Sequence, residues 1–270
     1  DSGEWGVSMS ITEIAMLLIN SYQLTDISYM VNSPHPYEKN TYYVFSVVIM
    51  NQASTIGSHH GSGKKLTEEV ALELRNLGFS SIALHGDMEQ KDRNQILVKF
   101  ANKSLSVLVA TDVAARGLDI ESLDLVVNYH LPRDPEVHTH RIGRTGRAGN
   151  KGLACSLFHE SEEYKIEILE KTLSQPIDRT FVDSVEKDFT PAQPNMTTLQ
   201  IEGGKKQKIR PGDILGALTR ENGIEACDVG KINISETSTF VAIKRHSLKK
   251  ALEVLKKGKI KGKNFRARKI

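Results

Sequence analysis

Residues 105–119 read Leu-Ser-Val-Leu-Val-Ala-Thr-Asp-Val-Ala-Ala-Arg-Gly-Leu-Asp. The apolar run Leu105–Ala110 predicts a strand buried on both faces, the hallmark of a parallel sheet covered by helices. A Thr-Asp pair follows at once, and either residue can cap a helix N-terminus. In an open parallel sheet, ligands bind beyond the C-terminal ends of the strands. Residues 110–119 are therefore expected at such an end.

The flanking sequence repeats the same alternation of strand and helix. Upstream, Leu66, Val70, Leu74 and Leu77 recur at helical spacing over Lys64–Leu77, with Gly78 at the position of a C-cap glycine. Ser80–Leu84 reads as a strand and Glu89–Ala101 as a helix with Ile96, Leu97 and Phe100 on one face. Downstream, Asp124–Tyr129 is a strand, Pro135–Thr145 a helix, Gly152–Phe158 a strand and Glu160–Leu173 a closing helix. Such a series predicts an α/β unit, a parallel sheet with flanking helices.

Residues 176–196 lack periodicity and contain Pro176, Pro191 and Pro194, so they read as a linker with the domain boundary near 190. From 197 to 270 the order changes. A strand (Thr198–Glu202), a helix (Pro211–Asn222), two strands (Asp228–Ser235, Thr239–Lys244), a helix (Ser247–Lys256) and a strand (Asn264–Lys269) give a β-α-β-β-α-β order. That split βαβ order predicts a small α+β, RRM-like domain. Residues 1–63 fit neither pattern and end in a Gly/Ser/His stretch, 57–63, that reads as a linker. The expected division is thus 1–63 unassigned, 64–175 the α/β domain, 176–196 the linker and 197–270 the small domain.

The net charge of +3 hides a gradient. Residues 197–270 carry 18 basic against 7 acidic side chains, a net +11, while 1–63 and 64–196 each come to −4. A block so basic is an electrostatic footprint for a polyanion, or else a solvated lysine-rich face. No run of about 18 apolar residues occurs, the length of a membrane-crossing helix, and no secretory signal is read at the start. Cys155 and Cys227 stand far apart with no Cys-x-x-Cys spacing. Neither a disulfide framework nor a metal site is expected; both thiols read as packing residues in a reducing cytoplasm.

Three local sequences carry chemistry: His85-Gly86-Asp87-Met88-Glu89-Gln90-Lys91-Asp92-Arg93; Ala110–Asp119; and His140-Arg141-Ile142-Gly143-Arg144-Thr145-Gly146-Arg147-Ala148-Gly149. The first two begin at strand ends. The third sets Arg141, Arg144 and Arg147 three apart, and that spacing on a helical turn aims guanidinium groups one way. Planar, permanently charged forks suit phosphate and can stabilise charge on a transferring phosphoryl group. Singly, each motif has a plainer reading as a turn, a helix cap or a solvated face. Their joint order and spacing favour the chemical one.

The second and third strings resemble the late motifs of DEAD-box RNA helicases over about residues 64–173. The tail, with Gly203-Gly204-Lys205-Lys206, Ile209–Leu215 and Gly258-Lys259-Ile260-Lys261-Gly262, is similar to the RNA-binding domain of the bacterial DbpA subfamily. The resemblance implies a RecA-like second motor domain followed by that tail. It implies Arg144 and Arg147 as arginine fingers on ATP, His140 and Arg141 as holders of an interdomain network linking ATP to RNA, and Asp119 as a hydrogen-bond acceptor from the ribose. Gly86, Gln90, Arg93, Thr111 and Arg116 would touch RNA backbone, which carries no base information. The implied partners are structured RNA, namely large-subunit ribosomal RNA during ribosome assembly, and the first RecA-like domain of the same protein. ATP and Mg²⁺ would be held mainly by that domain.

Departures from the family pattern qualify the expectation. No P-loop or Asp-Glu-Ala-Asp string occurs; Ser58…Gly63-Lys64-Lys65 lacks the first glycine and the final Ser or Thr. The parent is thus expected to be an RNA-stimulated ATPase and helicase, and these 270 residues alone inactive. The alternative is a non-catalytic RNA-binding module; a DNA-directed helicase of the same superfamily fits the motifs less well. The strand expected just before Lys64 is missing or replaced, with Tyr42–Met50 as the candidate. In the tail, Leu199, Ile201 and Phe240 make a poor stacking platform, so RNA contacts are assigned to Lys205, Lys206, Lys208, Arg210, Lys231, Lys244 and Arg245.

Overall fold

The computed structural model describes residues 47–51, 63–115, 123–145, 153–158, 160–177, 191 and 193–270. By contacts the chain divides in two, Asp1–Met88 with Ser106–Gln193, and Glu89–Leu105 with Pro194–Ile270. The first unit holds five parallel strands, β1 (Val47–Asn51), β2 (Ser81–Leu84), β3 (Val107–Thr111), β4 (Leu125–Asn128) and β5 (Leu153–Ser156). Their order is β2-β3-β1-β4-β5. The α/β parallel sheet with flanking helices is as expected.

The middle strand, β1, comes from residues 1–63, the segment unassigned in the sequence. Val47–Asn51 pairs in parallel with both β3 and β4. A central strand must be apolar on both faces, and Val47, Val48 and Ile49 are all buried. The candidate Tyr42–Met50 therefore overlaps the observed strand, shifted towards its C-terminal end. Residues 1–46 and 52–62, with most of the Gly/Ser/His stretch, lie outside the described residues.

Helix α1 (Gly63–Asn76) turns Val70, Ala71 and Leu74 into a core with Val47, Ile49, Val107, Val109, Leu125 and Val127. Full burial of each such aliphatic side chain contributes about 1.5–3 kcal/mol. Leu77 was expected on this face, but it follows the last helical residue and is exposed. Gly78 takes φ +93, and the Gly78 and Phe79 amides donate to the carbonyls of Arg75 and Leu74 at 2.9 Å each. This is the left-handed C-terminal stop that glycine permits.

Helix α2 (Gln90–Ala101) joins β2 to β3 in the chain, yet its contacts group it with the C-terminal unit. The short α3 (Asp112–Ala115) continues directly from β3. Helix α4 (Pro135–Ile142) starts cleanly: Asp134 accepts a hydrogen bond from the Glu136 amide at 2.9 Å, and Pro135 occupies the first turn. It ends at Ile142, short of the expected Thr145. α5 (Glu163–Leu173) follows a 3-10 turn, Glu160–Glu162.

The second unit has the split βαβ order. β6 (Met196–Ile201), α6 (Pro211–Thr219), β7 (Val229–Ile234), β8 (Thr239–Lys244), α7 (Leu248–Lys257) and β9 (Ala267–Lys269) form an antiparallel sheet ordered β7-β8-β6-β9. Leu199, Ile201, Val241 and Ile243 pack with Ile214, Leu218, Ala251 and Leu255 of the two helices. The opposite face of β6 is also covered. Thr198 is fully buried and bonds Asn102 (3.2 Å) and Ser104 (2.7 Å), and Gln95 reaches Gln200 (3.4 Å), all from α2 and its C-terminal flank.

The two cysteines differ. Burial pushes the Cys155 thiol up to about 11, which suits a packing residue. Cys227 is exposed, against expectation, on the turn leading into β7. Among the described residues no helix is long and apolar enough to cross a membrane, and no three His, Cys, Asp or Glu side chains gather as a metal site.

Candidate functional site

β3, β4 and β5 run parallel and end together, which brings Thr111, Asp112, Asn128 and Ser156 to one edge of the sheet. α4 lies across this edge. Its two buried residues, His138 and Arg141, are both polar. Arg141 is 2% exposed and donates from Nε and Nη2 to the two carboxylate oxygens of Asp112 at 2.6 and 2.7 Å. Its Nη1 donates to Asn128 Oδ1 at 3.1 Å and to the His130 carbonyl at 2.9 Å. A planar fork meeting a carboxylate in this bidentate way is both strong and directional.

This geometry corrects, for Arg141 and Arg144, the reading that spacing of three on a helical turn aims guanidinium groups one way. α4 stops before Arg144, and Arg141 points inward, so its guanidinium is not available to a phosphate. Arg144 instead sits half-buried in the turn after the helix. That turn is fastened at both ends. The amides of Gly143, Arg144 and Thr145 donate to the carbonyls of Thr139 (2.9 Å), Arg141 (3.2 Å) and Ile142 (3.0 Å), and the Leu123 amide donates to the Arg144 carbonyl (3.1 Å). His140 is exposed on α4. Arg147, Asp119 and Arg116 lie outside the described residues.

His138 meets Ser156 Oγ at 3.2 Å, and Asn128 Nδ2 donates to the same hydroxyl at 3.0 Å. Burial first, and the nearby Arg141 charge second, hold the His138 pKa below its ordinary value, which favours the uncharged ring. Asp112 lay inside a motif singled out from sequence, but Asn128, Ser156 and His138 did not. The available signal was a polar residue closing an apolar strand.

Thr111 is buried at the end of β3. The His85–Asp87 turn after β2 is tied to α1, with His85 Nε2 3.0 Å from Glu68 and Lys64 3.0 Å from Asp87. Gly86 is exposed on it, with open space around the position a Cβ would take. On α2, Gln90 is exposed and donates to Asn94 at 2.7 Å, while Arg93 is half-buried.

In the tail, Lys205, Lys206, Lys208, Arg210, Lys231 and Arg245 are exposed. The loop bearing the first four is built closely on the β7–β8 turn: the Lys205 and Lys206 amides donate to Ser235 and Glu236 carbonyls at 2.9 and 3.0 Å. A Cβ on Gly204 would come within 2.2 Å of the Ser235 carbonyl oxygen, so only glycine fits. Lys261 reaches across to the Lys208 carbonyl at 2.9 Å, placing a second lysine-rich loop alongside.

Lys244 behaves differently from its neighbours. It is half-buried and pairs with Asp228 at 3.1 Å. The Ser247 hydroxyl first, then Lys244 and His246, hold the Asp228 carboxyl down at about 2. Lys244, one of the residues assigned to RNA, also serves the anchor that joins the start of β7 to the end of β8.

Residues 48–149 match the family described as helicase conserved C-terminal domain, and residues 198–269 match the DbpA RNA binding domain. This chain is the C-terminal part of a DEAD-box RNA helicase of the DbpA type. It is 49% identical over 205 residues to the ATP-dependent RNA helicase DbpA of Escherichia coli, covering 76% of this chain and 45% of that protein. It is 32% identical over 253 residues to the protein of the same name from Bacillus subtilis, covering 86% and 53%. The chain thus spans about half the length of the curated relatives it matches. The crystal structure of E. coli DEAD-box protein SrmB bound to regulator of ribonuclease activity A is 27% identical, over 68% of this chain and 93% of that one, with a TM-score of 0.49.

Proposed function

We propose that this chain supplies the second motor domain and the RNA-selecting tail of an ATP-dependent RNA helicase. In this reading ATP and Mg²⁺ are held mainly by a first RecA-like domain carrying the P-loop and Asp-Glu-Ala-Asp motifs. Arg144 and Arg147 approach the transferring phosphate, and Asp119 accepts from the ribose. Positive charge placed where negative charge develops lowers the barrier to phosphoryl transfer. Arg141 enters only as the group that holds the arginine-bearing turn. The observation that carries the reading is this turn, fastened by Arg144 and Thr145 to the end of α4 at the C-terminal edge of a parallel sheet.

RNA backbone contacts fall to Gly86, Gln90, Arg93, Thr111 and Arg116. The tail chooses the target, a structured ribosomal RNA of the large subunit acted on during assembly in the cytoplasm. In the tail the inward face of β6 is occupied by α6 and α7, and Thr198 and Gln200 on its other face are bonded to α2 and its flank. Stacking bases on that sheet is therefore disfavoured, and the lysine loops carry the contact. A second reading, a non-catalytic RNA-binding module, is favoured by the excess basic charge and the absence of a P-loop string in these 270 residues.

RNA-stimulated ATP turnover separates the two. The chain alone should give none; mixed with the N-terminal half of the E. coli relative it should hydrolyse ATP when RNA is present. Turnover by the chain alone, or none in the mixture despite retained RNA binding, goes against the motor reading.

A further inference from the structure

A short helix usually docks by an apolar stripe. α4 does not: the two side chains it buries are an imidazole and a guanidinium, three residues apart on its sheet-facing side. Buried polar groups of this kind rarely add stability over apolar packing, but the bonds they do make restrict the arrangement. Here His138 is held through Nε2 alone, its buried Nδ1 having no hydrogen-bond partner among the described residues. The partners here form one continuous series at the sheet edge, from Asp112 through Arg141, Asn128 and Ser156 to His138.

We infer that Asn128 and Ser156 are positioning residues for Arg144, acting through Arg141 and His138 of α4; the inference rests on the motor reading above. Asn128 can serve in one orientation only. Its Oδ1 accepts from Arg141 while its Nδ2 donates to Ser156, and a flipped amide would set donor against donor at Arg141. Ser156 must be a hydroxyl, because it accepts from Asn128 while meeting His138 Nε2. These two residues, at the ends of β4 and β5, therefore touch both buried side chains of α4. Asn128 shares Arg141 with Asp112 and the His130 carbonyl, and Ser156 meets His138 Nε2. The carbonyls of Thr139, Arg141 and Ile142 at the end of that helix are the ones that receive the turn carrying Arg144. A shift of α4 by a fraction of a turn would move Arg144 with it, and a displacement of about 1 Å at a reacting phosphate can lower a rate by two orders of magnitude.

The test compares the wild-type chain with Asn128→Ala, Ser156→Ala and Ser156→Thr. Amide exchange of Arg144 and Thr145, followed by NMR on the intact chain, should quicken by about tenfold in both alanine variants and return to the wild-type rate in Ser156→Thr. With the N-terminal half of the E. coli relative added, kcat of RNA-stimulated turnover should fall by about tenfold in the alanine variants at unchanged RNA affinity, and recover in Ser156→Thr. Exchange unaltered by Ser156→Ala, or not restored by Ser156→Thr, overturns the positioning role. So does a kcat equal to wild type in a variant whose turn has loosened. Absence of turnover with the wild-type chain would count against the motor reading, and the exchange rates would still decide the brace.

Discussion

Two cationic regions of this molecule use opposite physics. At the sheet edge one arginine is buried and nearly every donor on it has a partner within 3.1 Å. In the tail, Lys206, Lys208, Arg210, Lys231 and Arg245 stand exposed on loops and edges. The first arrangement fixes a direction; the second creates a field that reaches only about a Debye length, some 8–10 Å at physiological salt. Phosphoryl transfer needs direction, and capture of a polyanion needs field. The same charge serves two tasks because burial differs.

The contrast is broken most severely at Arg141. Asp112→Ala, which strands a buried guanidinium, should cost about 3–5 kcal/mol in denaturant unfolding of the first unit. Lys206→Ala, on an exposed loop, should stay within about 0.5 kcal/mol of wild type. Equal costs would mean that Arg141 is solvated in solution. Salt sharpens the other side. If about six tail cations neutralise phosphates, log affinity for RNA should fall with log salt at a slope of about −4 to −5, and Lys206→Gln should make it shallower by just under one. A slope near zero would remove the electrostatic account of the tail.

The smallest effect concerns Asp228. Its carboxyl sits at about 2, below the ordinary 3.8. A depressed carboxylate contributes stability in full above 3.8 and loses it as pH falls through about 2. The tail's melting temperature should therefore drop across that window. Asp228→Asn should flatten the drop while lowering stability at neutral pH. A parallel acid profile in the variant would show that the carboxylate is not the group responsible.

Sequence patterns made the alternation of strand and helix legible wherever a residue repeats at a fixed interval, as Val70 and Leu74 do in α1. β1 was legible only as the candidate run Tyr42–Met50, and its bounds were not, because the apolar run Val47–Met50 has no period to read and a Gly/Ser/His stretch follows it. Motif spacing located the arginine-rich turn but not the inward course of Arg141. That depends on Asp112 and Asn128, which only the sheet register brings to one edge. The Asp228 anchor was invisible for a similar reason. Its partners Lys244, His246 and Ser247 lie across the pairing of Val229 with Ile243, a tertiary fact. Local chemistry is written in order along the chain; partners across strands are not.

One comparison tests the division of labour directly: Arg144→Ala against a combined Lys205, Lys206, Lys208 and Arg210 to Gln variant, each assayed with the N-terminal half of the E. coli relative. Arg144→Ala should lower kcat by at least about a hundredfold and leave RNA affinity near wild type. The loop variant should weaken RNA binding and leave kcat at saturating RNA intact. An Arg144→Ala enzyme that turns over normally, or a loop variant that binds RNA as tightly as wild type across the salt range, would contradict the account.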